Sequence, residues 1–145
     1  SPEQIKNYLS QYQWESLKPM TDRLVELVKE SGATYDEIVL GGFSQGSMMA
    51  LLAALHLNRP LKALVLFSSH LFMQQKLSML VANYNLPPFP IYQTHGLADQ
   101  VLPYSGALDL KSLLEQNAFV VNFMQYNGGH GIDPNHLSKI RTLLS

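Results

Sequence analysis

Ser44 stands in the pentapeptide Gly42-Phe43-Ser44-Gln45-Gly46, entered by the apolar run Ile38-Val39-Leu40 and left by Ser47-Met48-Met49-Ala50-Leu51. A strand–turn–helix setting of this kind lifts a serine Oγ above a sheet, where it can act as a nucleophile. Gly42 and Gly46 are expected to be glycine because a Cβ at either would collide where strand and helix cross. Acyl transfer by serine needs a base to take the Oγ proton and a carboxylate to orient that base. Asp99, in His95-Gly96-Leu97-Ala98-Asp99, and His130, in Asn127-Gly128-Gly129-His130-Gly131, supply both in the chain order Ser, Asp, His. The glycines beside His130 are expected to free its ring to swing towards Ser44.

Each residue has a plainer reading. Ser44 could cap the helix that follows, although capping does not ask for glycine on both sides. Asp99 could serve a turn before the helix that begins near Pro103, and gains its other role from its place beyond a strand end. Asp133 is its rival, but beside Pro134 it suits helix capping. Among the other histidines, His56 and His136 fall on helices and are expected to be solvated. His70, just past a strand end, is a decoy, and His95 is expected to shape the acid loop. No pair of histidines has metal-ligand spacing with an adjacent acid, so no metal site is expected.

The elements that must position these residues alternate. Ser1, Pro2 and Gln4 form a capping box for a short, mostly polar helix to about Tyr12. A second helix starts at Trp14, with Leu17, Met20, Leu24, Leu27 and Val28 on one face, and Pro19 either kinks it or marks its start. Gly32 stops it. Strands are expected at Glu37–Leu40, Leu61–Phe67, Ile91–Thr94 and Phe119–Tyr126. Helices are expected over Gln45–Leu57, 71–83, Pro103–Gln116 and from Asp133 onward. Alternation of this sort predicts an α/β fold, a parallel sheet of about four strands with helices on both faces. Ligands bind such sheets beyond the carboxyl ends of the strands, and Ser44, Asp99 and His130 all lie at such ends.

Composition narrows the function. The length, 145 residues, fits one domain, and a 46% hydrophobic content fits a globular chain. Net charge is −1 with no basic run, which argues against nucleic acid and anionic membrane surfaces. No apolar run approaches the roughly 20 residues of a membrane span. With no cysteine, disulfides and thiolate chemistry are excluded and a cytoplasmic setting is expected.

The strings GGFSQGSMMAL (Gly41 to Leu51), HGLADQVLP (His95 to Pro103) and GGHGI (Gly128 to Ile132) resemble the phospholipase/carboxylesterase family of α/β-hydrolases, the group containing acyl-protein thioesterases and bacterial carboxylesterases. The resemblance covers about residues 14–145 and corresponds to the C-terminal part of that fold. It implies a cytosolic serine esterase or thioesterase that needs no cofactor, with Ser44, Asp99 and His130 as catalytic residues and the Gln45 backbone N–H as an oxyanion donor. The implied substrate is a small-molecule or lipid acyl ester or thioester, or an acylated protein. Leu71, Phe72, Met73 and Leu77 are candidates for acyl-chain binding, against a plain core role. Family members carry further N-terminal strands and an H-G-x-G-type loop that supplies a second oxyanion N–H. Residues 1–145 are therefore expected to be a single, N-terminally incomplete domain with the elbow strand at the sheet's edge. A missing segment or a second copy of the chain would cover that edge. Loss of one oxyanion donor costs about 2.7–4 kcal/mol, so the alternative is a weak or inactive module that works by binding or dimerising. A flavodoxin-like binding domain, in which the three residues meet no common purpose, is a third reading.

Overall fold

Local chemistry sets the first elements. Ser1 and Gln4 close a reciprocal capping box on helix α1 (Pro2–Ser10) in the computed structural model, which describes all 145 residues. Helix α2 (Trp14–Glu30) runs unbroken through Pro19, only five residues from its start, and Gly32 ends it with a φ of +72°. Glu37 does not join a strand as expected. Residues Tyr35–Glu37 form a 3-10 turn, because Glu37 N–H and Ile38 N–H bond back to the carbonyls of Thr34 and Tyr35.

Beyond that turn the expected alternation follows: β1 (Val39–Phe43), α3 (Gln45–His56), β2 (Ala63–Phe67), α4 (Gln74–Asn83), β3 (Ile91–Gly96), α5 (Tyr104–Gln116), β4 (Val121–Tyr126) and α6 (Pro134–Leu143). All neighbouring strands are parallel, in the order β1-β2-β3-β4. β3 runs two residues further than Thr94 because its pairing with β4 continues to Gly96 opposite Tyr126. α4 starts later than expected: Met73 sits in the left-handed region, at a φ of 41°, and turns the chain into the helix.

Both faces of the sheet carry helices. Gln93 Nε2 donates to the Ala107 carbonyl at 2.9 Å, so the odd-numbered residues of β3 face α5. Tyr126 pairs in register with Gly96 and meets the His136 ring edge-on, which puts α6 on the other face. The first face is the thicker. Leu51 and Leu52 of α3, Leu64 and Leu66 of β2, Ile91 of β3 and Leu110 and Leu114 of α5 are all fully buried in one cluster. That explains why α3 is apolar nearly all round. β1 forms one edge of the sheet, with Val39 and Phe43 still 39% and 41% exposed. No helix is long and apolar enough to cross a membrane.

His70, the decoy histidine, is part of this packing. Its Nδ1 lies 2.6 Å from the Leu71 carbonyl, and its Nε2 would stand 1.8 Å from a Cβ placed on Gly106 of α5. Gly106→Ala should therefore destabilise the chain by about 1–3 kcal/mol, as overpacking does, despite alanine's better helix propensity. Urea denaturation at neutral pH measures this.

Candidate active site

The elbow at Ser44 is built from its two neighbours in β1 and α3. Ser44 adopts φ 56° and ψ −123°, a conformation that a residue with a side chain rarely takes. A Cβ on Gly42 would lie 2.3 Å from the Gly46 carbonyl oxygen and 2.6 Å from Ser47 N, so strand and helix can cross there only over glycine. Gly46 is different. A Cβ there meets nothing within 4 Å, which corrects the expectation that both flanks are sterically forced. Ser44 occupies the N-cap position of α3 without making a side-chain capping bond. Instead its carbonyl accepts from the Ser47 backbone N–H and from Ser47 Oγ, and its own N–H donates to the Phe67 carbonyl at 2.9 Å.

The three side chains singled out by sequence meet in one line. His130 Nε2 lies 3.0 Å from Ser44 Oγ, and His130 Nδ1 lies 2.7 Å from Asp99 Oδ2. A carboxylate only accepts, so Nδ1 carries the imidazole proton and Nε2 is left to accept from the serine hydroxyl. Asp99 is buried and its two oxygens divide the work. Oδ1 takes the backbone N–H groups of Val101 and Leu102 at 2.9 and 2.8 Å, while Oδ2 faces His130. The turn role and the partner role proposed for Asp99 are thus filled at once. Asp133 caps α6 through Asn135 N–H at 2.9 Å and takes no part.

The loop carrying His130 is pinned rather than free. Gly129, Gly131 and Gly128 all have φ outside the left-handed region, since Gly32 is the chain's one glycine there. Tyr126 Oη donates to the carbonyls of Gly129 and Gly131 at 3.1 and 2.7 Å, and Ser68 Oγ donates to Gly131 at 2.7 Å. Gly96 lets this loop sit on the β3 exit, for a Cβ there would stand 2.3 Å from the Gly129 oxygen. Phe43 packs its ring 4.8 Å from the imidazole. Sequence reading missed Ser68 and Tyr126. Their only signal is position, one just past β2 and one at the last residue of β4.

His95 shapes the acid loop as expected, with Nε2 2.6 Å from the Leu102 carbonyl and 3.3 Å from Asp99 Oδ2. Leu71, Phe72, Met73 and Leu77 do not line the space beside Ser44. All four are buried in the hydrophobic cluster. The apolar cleft that does border Ser44 is walled by α1 and Met48. A larger cleft, of about 690 Å³, is lined by 33–36 and 58–60 at the opposite, N-terminal end of β1 and β2.

Such a line can hand the Oγ proton to imidazole as the oxygen attacks a carbonyl carbon. The Gln45 N–H, in the first turn of α3, is among the helix N–H groups with no intrahelical partner, and it points the positive end of the helix dipole at the site.

Comparison with known proteins agrees with this architecture. A phospholipase/carboxylesterase family model matches residues 9–145. Acyl-protein thioesterase 1 of Neurospora crassa is 34% identical over 127 residues, which is 84% of this chain and 51% of the relative. Acyl-protein thioesterase 1 of Aspergillus fumigatus is 31% identical over 124 residues, 81% of this chain and 52% of the relative. The chain thus spans about half the length of the curated relatives it matches. Among solved structures, esterase PE8 superposes with a TM-score of 0.73 at 30% identity, over 86% of this chain and 57% of that one. Arabidopsis thaliana SOBER1 gives a TM-score of 0.81 at 18% identity, over 91% and 64%, which speaks to the fold.

Two predictions follow from the geometry. Gly42→Ala should destabilise, whereas Gly46→Ala should stabilise by up to about 0.5–1 kcal/mol because alanine suits a helix better; chemical denaturation separates them. Burial holds the His70 and His95 imidazoles below the ordinary range, so on acidification the unfolded chain takes up their protons first. Stability is therefore full above about pH 6.5 and falls as pH drops below it, by at most about 1.4 kcal/mol per pH unit for each histidine. His95→Gln should flatten that slope when unfolding is followed at pH 7.5 and 5.5.

Proposed function

The chain belongs to the phospholipase/carboxylesterase family, and from that premise we propose that it is a serine hydrolase of carboxylic esters or thioesters. The observation that carries the proposal is the unbroken line from Ser44 Oγ through His130 to the buried Asp99. Ser44 Oγ forms a bond to the acyl carbon while its proton passes to His130 Nε2. The tetrahedral oxyanion is held by the Gln45 N–H, and Asp99 steadies the imidazolium. Collapse breaks the ester or thioester bond, and His130 gives its proton to the departing alcohol or thiol. Water then attacks the acyl-serine, passing its proton to His130. The acid leaves, and the imidazole returns that proton to Ser44. Water is the only co-reactant.

The relatives named acyl-protein thioesterase and the carboxylesterase neighbour from Bacillus cereus support acylated substrates, proteins or small esters. A cytoplasmic setting belongs to the same proposal and is supported by the cysteine-free sequence. A second reading, a binding or dimerising module, is favoured by the exposed apolar edge at Val39 and Phe43.

Incubation with a fluorophosphonate, read by intact mass and peptide mapping, decides between them. The proposed activity gives a single adduct on Ser44, absent from Ser44→Ala. A folded chain that takes no label, together with a concentration-dependent dimer, would favour the second reading.

A further inference from the structure

Four residues other than glycine adopt a positive φ: Ser44, Ser68, Met73 and Ala118. Ser44 is the elbow, Met73 turns the chain into α4, and Ala118 turns it between α5 and β4. Ser68 follows β2 directly, at a φ of 52°, and is completely buried. A turn alone would be better served by glycine, which takes that conformation without steric cost. What serine adds is a hydroxyl, and Ser68 Oγ donates to the Gly131 carbonyl at 2.7 Å, 63 residues later in the chain. The peptide unit joining Phe67 to Ser68 is occupied at both ends. Its carbonyl accepts from the Ser44 N–H and its N–H donates to the Thr94 carbonyl, each at 2.9 Å. Ser68 is thus tied through its peptide unit to the turn that carries Ser44, and through its side chain to the loop that carries His130.

We infer that Ser68 is a positioning residue: its left-handed backbone aims Oγ at the Gly131 carbonyl and so fixes the His130 ring relative to Ser44. Backbone held in a sparsely populated region clusters at functional sites, and here the strained residue has its side chain bonded beside the base. Tyr126 shares the task, since its Oη donates to the same carbonyl at 2.7 Å from the end of β4. A carbonyl oxygen has two lone pairs, so Ser68 and Tyr126 together fill those of Gly131, and either alone still holds it. The ring they place stands 3.0 Å from Ser44 Oγ, and a hydrogen bond of that length weakens quickly as the ring drifts. The effect on rate rests on the hydrolase reading, but the placement of His130 can be read without turnover.

Two measurements on the whole chain test it. The first is the second-order rate of Ser44 labelling by a fluorophosphonate, with urea midpoints measured alongside. Ser68→Ala keeps the strained backbone and loses the hydroxyl, whereas Ser68→Gly loses both and should be the more stable of the two. Each should nevertheless slow labelling equally, by about threefold, as should Tyr126→Phe. The double variant Ser68→Gly, Tyr126→Phe should slow it by about 10²-fold, beyond the product of the two single effects. Ala118→Gly, which relieves the same backbone strain away from the site, should leave the rate unchanged. A wild-type rate in Ser68→Gly beside a slow Ser68→Ala makes the residue merely structural and overturns the inference, as does a double variant that labels within about twofold of wild type. The second measurement is the proton NMR signal of His130 Nδ1–H, which is bonded to Asp99 at 2.7 Å and is identified by its absence from His130→Gln. It should be lost to exchange in the double variant, and a signal that persists unshifted there overturns the inference. Loss of that signal in a chain whose wild type takes no label sinks the hydrolase reading and leaves the positioning role. Labelling of wild type with rate and signal both unmoved in the double variant does the reverse.

Discussion

Ser44 holds a left-handed backbone conformation that costs on the order of 1–3 kcal/mol for a residue with a side chain, and the surrounding contacts are what keep it there. Below it, Gly42 lets β1 and α3 cross at a separation no Cβ could enter. Beside it, the Ser44 N–H extends the ladder to Phe67 of β2, and Ser47 ties the carbonyl back into the helix. The turn is thus anchored to the sheet on one side and the helix on the other. Its product is an Oγ raised beyond the strand ends, 3.0 Å from an imidazole delivered by a loop 86 residues later in the chain.

That imidazole depends on a second anchor. Asp99 spends one oxygen on the backbone of its own loop and turns the other to His130, so the carboxylate that faces the imidazole is itself fixed by peptide N–H groups. His95 fastens the same loop through the Leu102 carbonyl and approaches the carboxylate at 3.3 Å. Because burial disfavours its charged form, His95 acts beside Asp99 as a neutral donor, not as a competing cation. Ser68 and Tyr126 then fix the far side, holding the carbonyls that flank His130. Three strand exits are tied together with little reliance on glycine flexibility.

Much of this was legible in the sequence. The elbow carries its signature locally, since a close crossing of strand and helix writes itself as glycine at Gly42. The Ser, Asp, His order and the alternation of strand and helix are likewise properties of neighbouring residues. What escaped depends on distance. Nothing near Ser68 or Tyr126 announces that their hydroxyls will meet carbonyls at Gly129 and Gly131. Leu71 to Leu77 looked available for a ligand because apolar side chains carry no mark of whether a core will absorb them. At Gly46 the reading of a forced glycine failed, because the residue lies on the open side of the first turn of α3.

The rate of Ser44 phosphonylation tests the link between the three residues most directly. If His130 is the base and Asp99 orients it, Asp99→Asn lowers the second-order rate at neutral pH by about 10⁴-fold, as loss of the orienting carboxylate does in a serine-protease triad. A rate unchanged by Asp99→Asn in a folded chain would contradict it.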